Sequence, residues 1–428
     1  MSSGSQASVA ALHGNEDEDP LSAITTKLHT LTEDDLPGTE TLSGPAAEPA
    51  TARPKVLHVL EAVAGGTLRH LVDILQTVGN VEHHVVLPPD HAHPEDGELS
   101  VNAIAAEEML DAGATIHRIE MLRNPVHPKN AAGVMRLRRL VDRLQPSLVH
   151  GHSSVGGAFA RAAVWGTHVP DIYTPNGVAR SRAILMVEKV LAHRTSRFIA
   201  VSASEGERAL NLGLTSKERM VVIPNGIDLE PSDERYDLRK ELQLHADVPI
   251  VGTVSRLTHQ KAPDDFVRIC AEVARTHSDV HFVLIGTGQL QRDLDTAIAR
   301  AGLTRRFHQI AFVRHASLAI AQMNVFVLAS LFEGAAYAPL EAMQAGVPVV
   351  LTDVTGNMDT VEDKVSGLLC PFGNTDAMAA AVRTLLSDDA TRQSIVDGAL
   401  ERVQTHFDRR QMGARLGDLY RELSDTRA

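Results

Sequence analysis

Two glutamates stand in a segment that is otherwise nearly apolar. In "FEGAAYAPLEAMQAG" (332–346), Glu333 sits among glycine and alanines, and Glu341 follows Pro339. An ionised carboxylate is costly to bury without a partner, so the pair must face a cation, a ligand or solvent. The small residues between them leave the amides of 334–337 able to approach an anion closely. Carboxylates accept hydrogen bonds from hydroxyls, and amides cradle phosphate. A ligand carrying both groups, such as a nucleotide sugar, fits this combination. Without a ligand, the same residues read as a helix-capping Glu341 and an exposed Glu333.

Other residues could serve the same ligand. Arg256 and Lys261 in "VGTVSRLTHQKAPDDF" follow a strand-like run at a spacing of five; an Arg fork with a Lys point charge suits a departing diphosphate. Gly286 and Gly288 in "LIGTGQL" begin a dinucleotide-type fingerprint, but Gln291 occupies the place of its third glycine. We read them as a tight turn that lets a nucleotide base approach. Gly65-Gly66 would admit substrate to the backbone in the same way, or form only a tight turn.

These residues need a frame, and hydrophobic patterning supplies one. Short apolar runs, "KVLHVL", "HHVVLP", "ATIHRI", "SLVHGH", "IYTP", "RFIAVS" and "RMVVIP", alternate with helical segments such as "AAGVMRLRRLVDRLQ". After "PNGIDLEPSDERYDLRKELQLHADVP" (224–249), which reads as a linker with a short helix, the rhythm resumes with "IVGTVS", "VHFVLIG", "HQIAFV", "NVFVLAS" and "VPVVLT". Alternation of this kind predicts parallel doubly wound sheets, hence an α/β protein of two Rossmann-like domains facing a cleft. Ligands of such sheets lie beyond the strands' carboxyl ends, where the unusual residues fall. In "NVFVLASLFEGAAYAPLEAMQAG", Pro339 is expected at the first helical position, Glu341 in the first turn and Gly346 just past the helix end.

The expected organisation is a disordered acidic tail over 1–53, Rossmann-like domains over 54–228 and 229–410, and a last helix over 411–428. In the first 53 residues nine acids face only Lys27 and Arg53, so the tail carries −7 of the chain's net −13. The acidic balance argues against nucleic acid as a partner. Cys270 and Cys370 have no metal-ligand spacing and read as buried thiols of a reducing compartment. "MSSGSQASVAALHGNEDEDP" lacks a basic stretch and a long apolar run, so no secretory-type leader is expected, and no window of eighteen apolar residues lacks a charge. A cytoplasmic protein is expected, free or at the inner face of a membrane.

The order "GGTLRH", "HGHSS", "YTPNG", "AVSASE", "IPNGID", "SRLTHQK", "IGTGQL" and "EGAAYAPLEAMQAGVPVV" resembles glycosyltransferase family 4 over about residues 55–410. These are retaining enzymes of GT-B fold, and the E-x7-E element from Glu333 to Glu341 carries the likeness most strongly. The segment "TDVTGNMDTVEDKVSGLLCPFGN" fits the bacterial exopolysaccharide branch. The resemblance implies transfer of a hexose from a nucleotide-diphosphate sugar to a glycan or lipid-linked acceptor. It also implies 54–228 as the acceptor-side domain, 229–410 as the nucleotide-sugar-binding domain, and the 411–428 helix returning to the first domain as in similar enzymes. Arg256 and Lys261 would hold the donor diphosphate, Glu341 the ribose, and Glu333 the donor sugar near its reacting face. Gly334, Ala335, Ala336, Gly286, Gly288 and Val313 would contact the donor, while Gly65 and Gly66 would border phosphate and acceptor. His152 and Asn176 would lie on the acceptor side. Asn176 departs from the family, which usually has His there, and a neutral amide is no general base.

No cofactor or essential metal is expected. Asp293 and Asp295 imitate a metal-binding DxD, but they lie in a helical segment where i and i+2 point apart. No HExxH motif is present among the 21 histidines. Arg136, Arg139 and Arg143, and then Arg180, Arg182, Lys189, Arg194 and Arg197, read first as solvated faces of amphipathic helices. Contact with an anionic membrane is their alternative use. Two other functions share the architecture: a sugar-nucleotide 2-epimerase-like isomerase, and a nucleotide-sugar-binding protein without turnover.

Overall fold

The computed structural model describes residues 41–43, 53–61, 65–89, 106–123, 127–230 and 234–425. Two sheets carry the fold. The first contains β1 (Thr41–Ser43), β2 (Lys55–Val59), β3 (Glu82–Leu87), β4 (Thr115–Arg118), β5 (Leu148–His152), β6 (Asp171–Thr174), β7 (Arg197–Ala200) and β8 (Met220–Val222), in the order β1-β4-β3-β2-β5-β6-β7-β8. The second contains β9 (Ile250–Val254), β10 (His281–Ile285), β11 (Phe307–Ile310), β12 (Val325–Leu328), β13 (Val349–Thr352) and β14 (Leu368–Cys370), in the order β11-β10-β9-β12-β13-β14. All neighbours are parallel except β1 on β4. These are the two Rossmann-like units that the alternation predicts.

The apolar runs are continuous because helices cover both faces of each sheet. In β10, Phe282 and Leu284 enter one core while Val283 and Ile285 enter the other. In β12, Val325 and Val327 oppose Phe326 and Leu328 in the same manner. Cys270 and Cys370 are buried free thiols. β1 corrects the expectation of a wholly disordered tail, because residues 41–43 add an antiparallel edge to β4. Residues 1–40 and 44–52 of that tail lie outside the described residues.

The chain passes between the domains twice, and the two passages touch. Ile227 N donates to Phe407 O at 2.8 Å, and Arg409 N donates to Ile227 O at 3.0 Å. The Arg409–Asp425 helix, beginning two residues before the expected 411, then packs Met412, Leu416, Leu419 and Tyr420 onto the first domain beside Ile74 and Val78. Gly226 permits the crossing, since a Cβ there would lie 2.4 Å from Arg409 Cα. The obstacle is backbone, which yields only by moving the helix. Gly226→Ala is therefore expected to lower the melting temperature by several degrees. An unchanged melting curve would show that the two passages need not touch.

Candidate active site

Among the parallel strands of each sheet the order reverses once, between β2 and β5 and between β9 and β12. Loops leaving the carboxyl ends of such neighbours diverge and open a crevice. At the second reversal, the turn His259–Lys261 follows β9 and the 329–336 loop follows β12. Leu331 N donates to Gln260 O at 2.7 Å, and Gln260 Nε2 donates to Phe332 O at 2.9 Å. These bonds fix the loops side by side and bring Lys261 Nζ to 2.6 Å from Glu333 Oε1. The carboxylate of Glu333 is 6% exposed and the lysine side chain 14%. The cation that Glu333 requires is thus Lys261.

Arg256 lies on the loop after β9, exposed, and its guanidinium makes no hydrogen bond or ion pair among the described residues. Its loop is fastened to the β10 loop by Ser255 N to Ile285 O (3.0 Å) and Leu257 N to Thr287 O (2.9 Å). This contact gives Gly286 and Gly288 a reason within the fold itself. A Cβ at Gly286 would lie 2.1 Å from Ser255 O, and one at Gly288 would lie 2.5 Å from Leu257 O. The glycines admit the protein's own backbone, the segment that carries Arg256. Val313 lies beyond β11, half-buried against the second core.

Glu341 needs a correction. The helix runs Tyr337–Gln344, so Pro339 is its third residue and Glu341 its fifth, beyond the first turn. Proline is tolerated throughout the first turn because those N–H groups lack intrahelical acceptors. Gly346 has φ +70°, the expected left-handed stop. The half-buried Glu341 faces Arg69 of the first domain; burial raises its carboxyl, and Arg69 draws it back. Arg69 also pairs with Asp73 at 3.2 Å, and Arg409 lies 3.6 Å from the same carboxylate. This charged cluster, with Tyr337 packed 3.5 Å from where a Gly66 Cβ would stand, joins the domains. Gly65, at φ +74°, precedes the Gly66–Thr77 helix, and among the described residues nothing lies within 4 Å of where its Cβ would stand.

The 334–336 loop lies under the first domain. Asn225 Nδ2 donates to Ala335 O at 2.8 Å, and a Cβ at Gly334 would meet Gly177 N at 2.7 Å. Arg180 sets its guanidinium 4.3 Å from the Phe332 ring centre. Among the described residues, the amides of Gly334, Ala335 and Ala336 donate to no protein acceptor. Asn176 has φ +53°, a conformation that Asn tolerates better than most residues. Both its amide atoms are buried without a partner, as are Thr258 Oγ1, Ser330 Oγ and Asn225 Oδ1. Buried polar atoms are normally bonded, so these orphans on the loops beside the crevice fit a polar ligand there, although others, at Asp171, Tyr236 and Gln344 among them, lie elsewhere in the fold.

His152 is not presented to this crevice. It is wholly buried, with Nε2 3.1 Å from His58 Nδ1. His58 Nε2 in turn lies 3.0 Å from His83 Nδ1, and His83 Nε2 lies 3.0 Å from Val78 O. A carbonyl only accepts, which assigns the proton at His83 Nε2 and then at His58 Nε2 and His152 Nε2. Three neutral imidazoles therefore point one way, and His152 Nδ1 is left without a partner. Burial lowers all three, with neighbouring histidines adding to the effect at His58 and His152. His58, His150 and His152 also converge closely enough to hold a metal ion, a cluster that their spacing along the chain conceals. Asp293 and Asp295 lie on the Gln291–Arg300 helix, where Asp295 takes a bond from Gln291.

Two family models match in tandem: "Glycosyltransferase Family 4" over residues 64–231 and "Glycosyl transferases group 1" over 234–402. The chain belongs to glycosyltransferase family 4. An uncharacterised glycosyltransferase of Methanocaldococcus jannaschii is 28% identical over 53% of this chain and 60% of that protein. The Escherichia coli UDP-Gal:alpha-D-GlcNAc-diphosphoundecaprenol alpha-1,3-galactosyltransferase is 26% identical over 68% of this chain and 79% of its own length. Staphylococcus aureus CapM, a capsular polysaccharide biosynthesis glycosyltransferase, is 24% identical over 71% and 84%. Among solved structures, Anabaena HepE in complex with UDP and glucose superposes with a TM-score of 0.73 at 20% identity, covering 86% of this chain and all of that one. The likeness supports the GT-B arrangement of this family 4 chain.

Proposed function

We propose that the protein is a retaining glycosyltransferase that moves a hexose from a nucleotide-diphosphate sugar to a glycan or lipid-linked acceptor in polysaccharide or glycoconjugate synthesis. The observation that carries this reading is the Lys261–Glu333 pair at the β9/β12 reversal, beside three unbound loop amides and the free Arg256. Arg256 and the spare protons of Lys261 stabilise charge arriving on the leaving diphosphate. The 334–336 amides receive a phosphate or sugar oxygen, and Glu333 meets the sugar hydroxyls. Glu341, already beside Arg69, binds the ribose at the edge of the domain contact.

With Asn176 unable to accept a proton as a base, the reaction proceeds on one face of the sugar. The bond from the anomeric carbon to the phosphate oxygen breaks as the acceptor oxygen bonds to that carbon. The acceptor's proton passes to the departing phosphate oxygen. No metal enters the proposal. UDP-sugars are the first donors to test, because the E. coli relative is named for UDP-Gal and HepE was solved with UDP.

A lipid-linked acceptor is supported by the outward face of the Arg182–Ala192 helix. Met186 and Val190 are 71% and 61% exposed among Arg182, Lys189 and Arg194, while Glu188 turns inward to Arg161 at 2.6 Å. Among the described residues, no helix is long and apolar enough to cross a membrane. A thermal-shift panel of nucleoside diphosphates and their sugars tests the donor. We expect one diphosphate to raise the melting temperature, and Arg256→Ala to remove most of that rise without altering the free protein. No shift with any diphosphate would refute the donor assignment. An altered nucleotide sugar released without acceptor would indicate an isomerase.

A further inference from the structure

The contacts around Glu333 form a closed circuit through both domains, and its centre is the first turn of the Ala203–Asn211 helix. Ser202 Oγ caps that helix by accepting from Glu205 N at 3.2 Å. Glu205 is fully buried and turns its carboxylate to the backbone, taking Gly177 N at 2.6 Å and Val201 N at 2.8 Å. It thereby holds the loop in which Asn176 and Gly177 take positive φ. Gly177 lies against Gly334 in the second domain, and Gly334 and Glu333 in turn lie against Gly356, where a Cβ would approach Gly334 O to 2.6 Å. Gly356 N donates to Ser204 Oγ at 2.9 Å, back in the first domain. Ser204 also gives its amide to the Asp359 carboxylate at 3.2 Å, and its hydroxyl bonds the same group. Asp359 is braced from behind by Arg402, which donates to Asp359 O at 2.7 Å.

We propose that Ser204 and Glu205 are positioning residues that clasp the cleft: Ser204 fastens the 356–359 loop, and Glu205 holds the 176–178 loop that covers Gly334. The naming of what they position rests on the donor-site reading above, but the clasp itself does not. Glycine is required at 334 and 356 because backbone from the opposite side of the circuit occupies the space a side chain would need. Neither Ser204 nor Asp359 contacts the Glu333–Lys261 pair, so the clasp acts on the site through loop position alone.

Two measurements on the full chain test it. In a thermal double-mutant cycle of Ser204→Ala and Asp359→Asn, the double variant is expected to melt no lower than the worse single one. Strictly additive losses would overturn the contact. In small-angle scattering of the free protein, Ser204→Ala is expected to show a larger radius of gyration than wild type, and Ser204→Thr, which keeps the hydroxyl, to restore it. Glu205→Gln, which sets a donor against a backbone N–H, is expected to expand the protein as Ser204→Ala does. Identical scattering from wild type and Ser204→Ala would refute the clasp even if Glu205→Gln failed to fold. A protein that closes in this way yet turns over no nucleotide sugar would keep the clasp and lose the transferase reading.

Discussion

Lys261→Ala is expected to reduce turnover by at least about 100-fold and, separately, to destabilise the protein by about 3–5 kcal/mol. The stability loss follows from what the substitution leaves behind. Glu333 is 6% exposed, and among the described residues Lys261 is the cation within ion-pair distance of it. Removing one partner strands the other charge in a region of low dielectric, and that penalty exceeds the net worth of the intact pair. Deleting both charges is a different experiment. Lys261→Ala with Glu333→Ala is expected to recover much of the stability, because no buried charge remains, and to recover none of the turnover. Thermal melting and single-turnover donor cleavage, measured on the two single variants and the double, separate the roles. A double variant no more stable than Lys261→Ala alone would contradict the buried-pair argument. Turnover restored in the double variant would make the pair merely structural.

The pair can serve chemistry while satisfied because an ammonium has three protons. One is committed to Glu333 at 2.6 Å, which fixes the direction of the lysine's chain. The remaining protons have no partner among the described residues, so under the proposed function a diphosphate would meet them, with the 334–336 amides, as donors already in place. Preorganisation of this kind costs nothing at the moment charge moves. Arg256 differs in being exposed and unpaired, which is why its loss is expected to weaken donor binding without destabilising the free chain.

Whether a feature could be read from the sequence depended on whether its cause was local. β10 and β12 are legible because burial on both faces demands uninterrupted apolar runs, and those runs alternate with helices. The crevice was legible as well, because the rule of strand ends points to loops after such runs. The helix around Glu341 was misplaced because Pro339 fits any position of a first turn, and the start at Tyr337 has no side-chain cap to announce it. The packing of Gly286 and Gly288 on the backbone of 255–257 was not legible, because that backbone leaves the neighbouring strand β9 about thirty positions earlier. Ser204 and Asp359 stand 155 positions apart, and only closure of the domains joins them. The histidine stripe was hidden for a related reason. His58 and His150 are paired by the register of β2 on β5, and His83 is reached from β3. Register is a long-range property that spacing along one chain does not encode.

That stripe implies a sharp loss of stability in mild acid. His58, His70, His150 and His152 are fully enclosed; burial pushes His70 down to about 4 and the other three well below their ordinary value of 6.5. A depressed histidine stays neutral in the folded chain and takes a proton in the unfolded one. Below pH 6.5 the unfolded state therefore binds more protons, and stability falls with pH. At pH 5.5 each such residue forfeits roughly 1 kcal/mol, so the four together forfeit a few kcal/mol. Whole domains are commonly stable by only about 5–15 kcal/mol. Glu205 works in the opposite sense. Burial raises its carboxyl to about 7, so the folded chain gains a proton first and is favoured as pH falls from 7 toward 4.5. Asp73, Asp171, Asp265 and Glu341 are raised by burial as well and act in the same sense, while His83, His84 and His117 are lowered by burial and act with the stripe, so the lowered histidines outnumber the raised carboxyls. The histidines therefore prevail, and the melting temperature is expected to fall steeply between pH 7 and pH 5.5, with several protons taken up on unfolding. A melting temperature that is flat or rises over that interval would mean that the stripe is charged, hydrated or otherwise compensated in the folded protein. Tyr420, which meets His150 Nδ1 at 2.7 Å from the returning helix, sharpens the test. Tyr420→Phe removes one partner of a neutral imidazole and leaves the four titrations in place. It should lower stability at every pH and leave the slope below pH 6.5 unchanged.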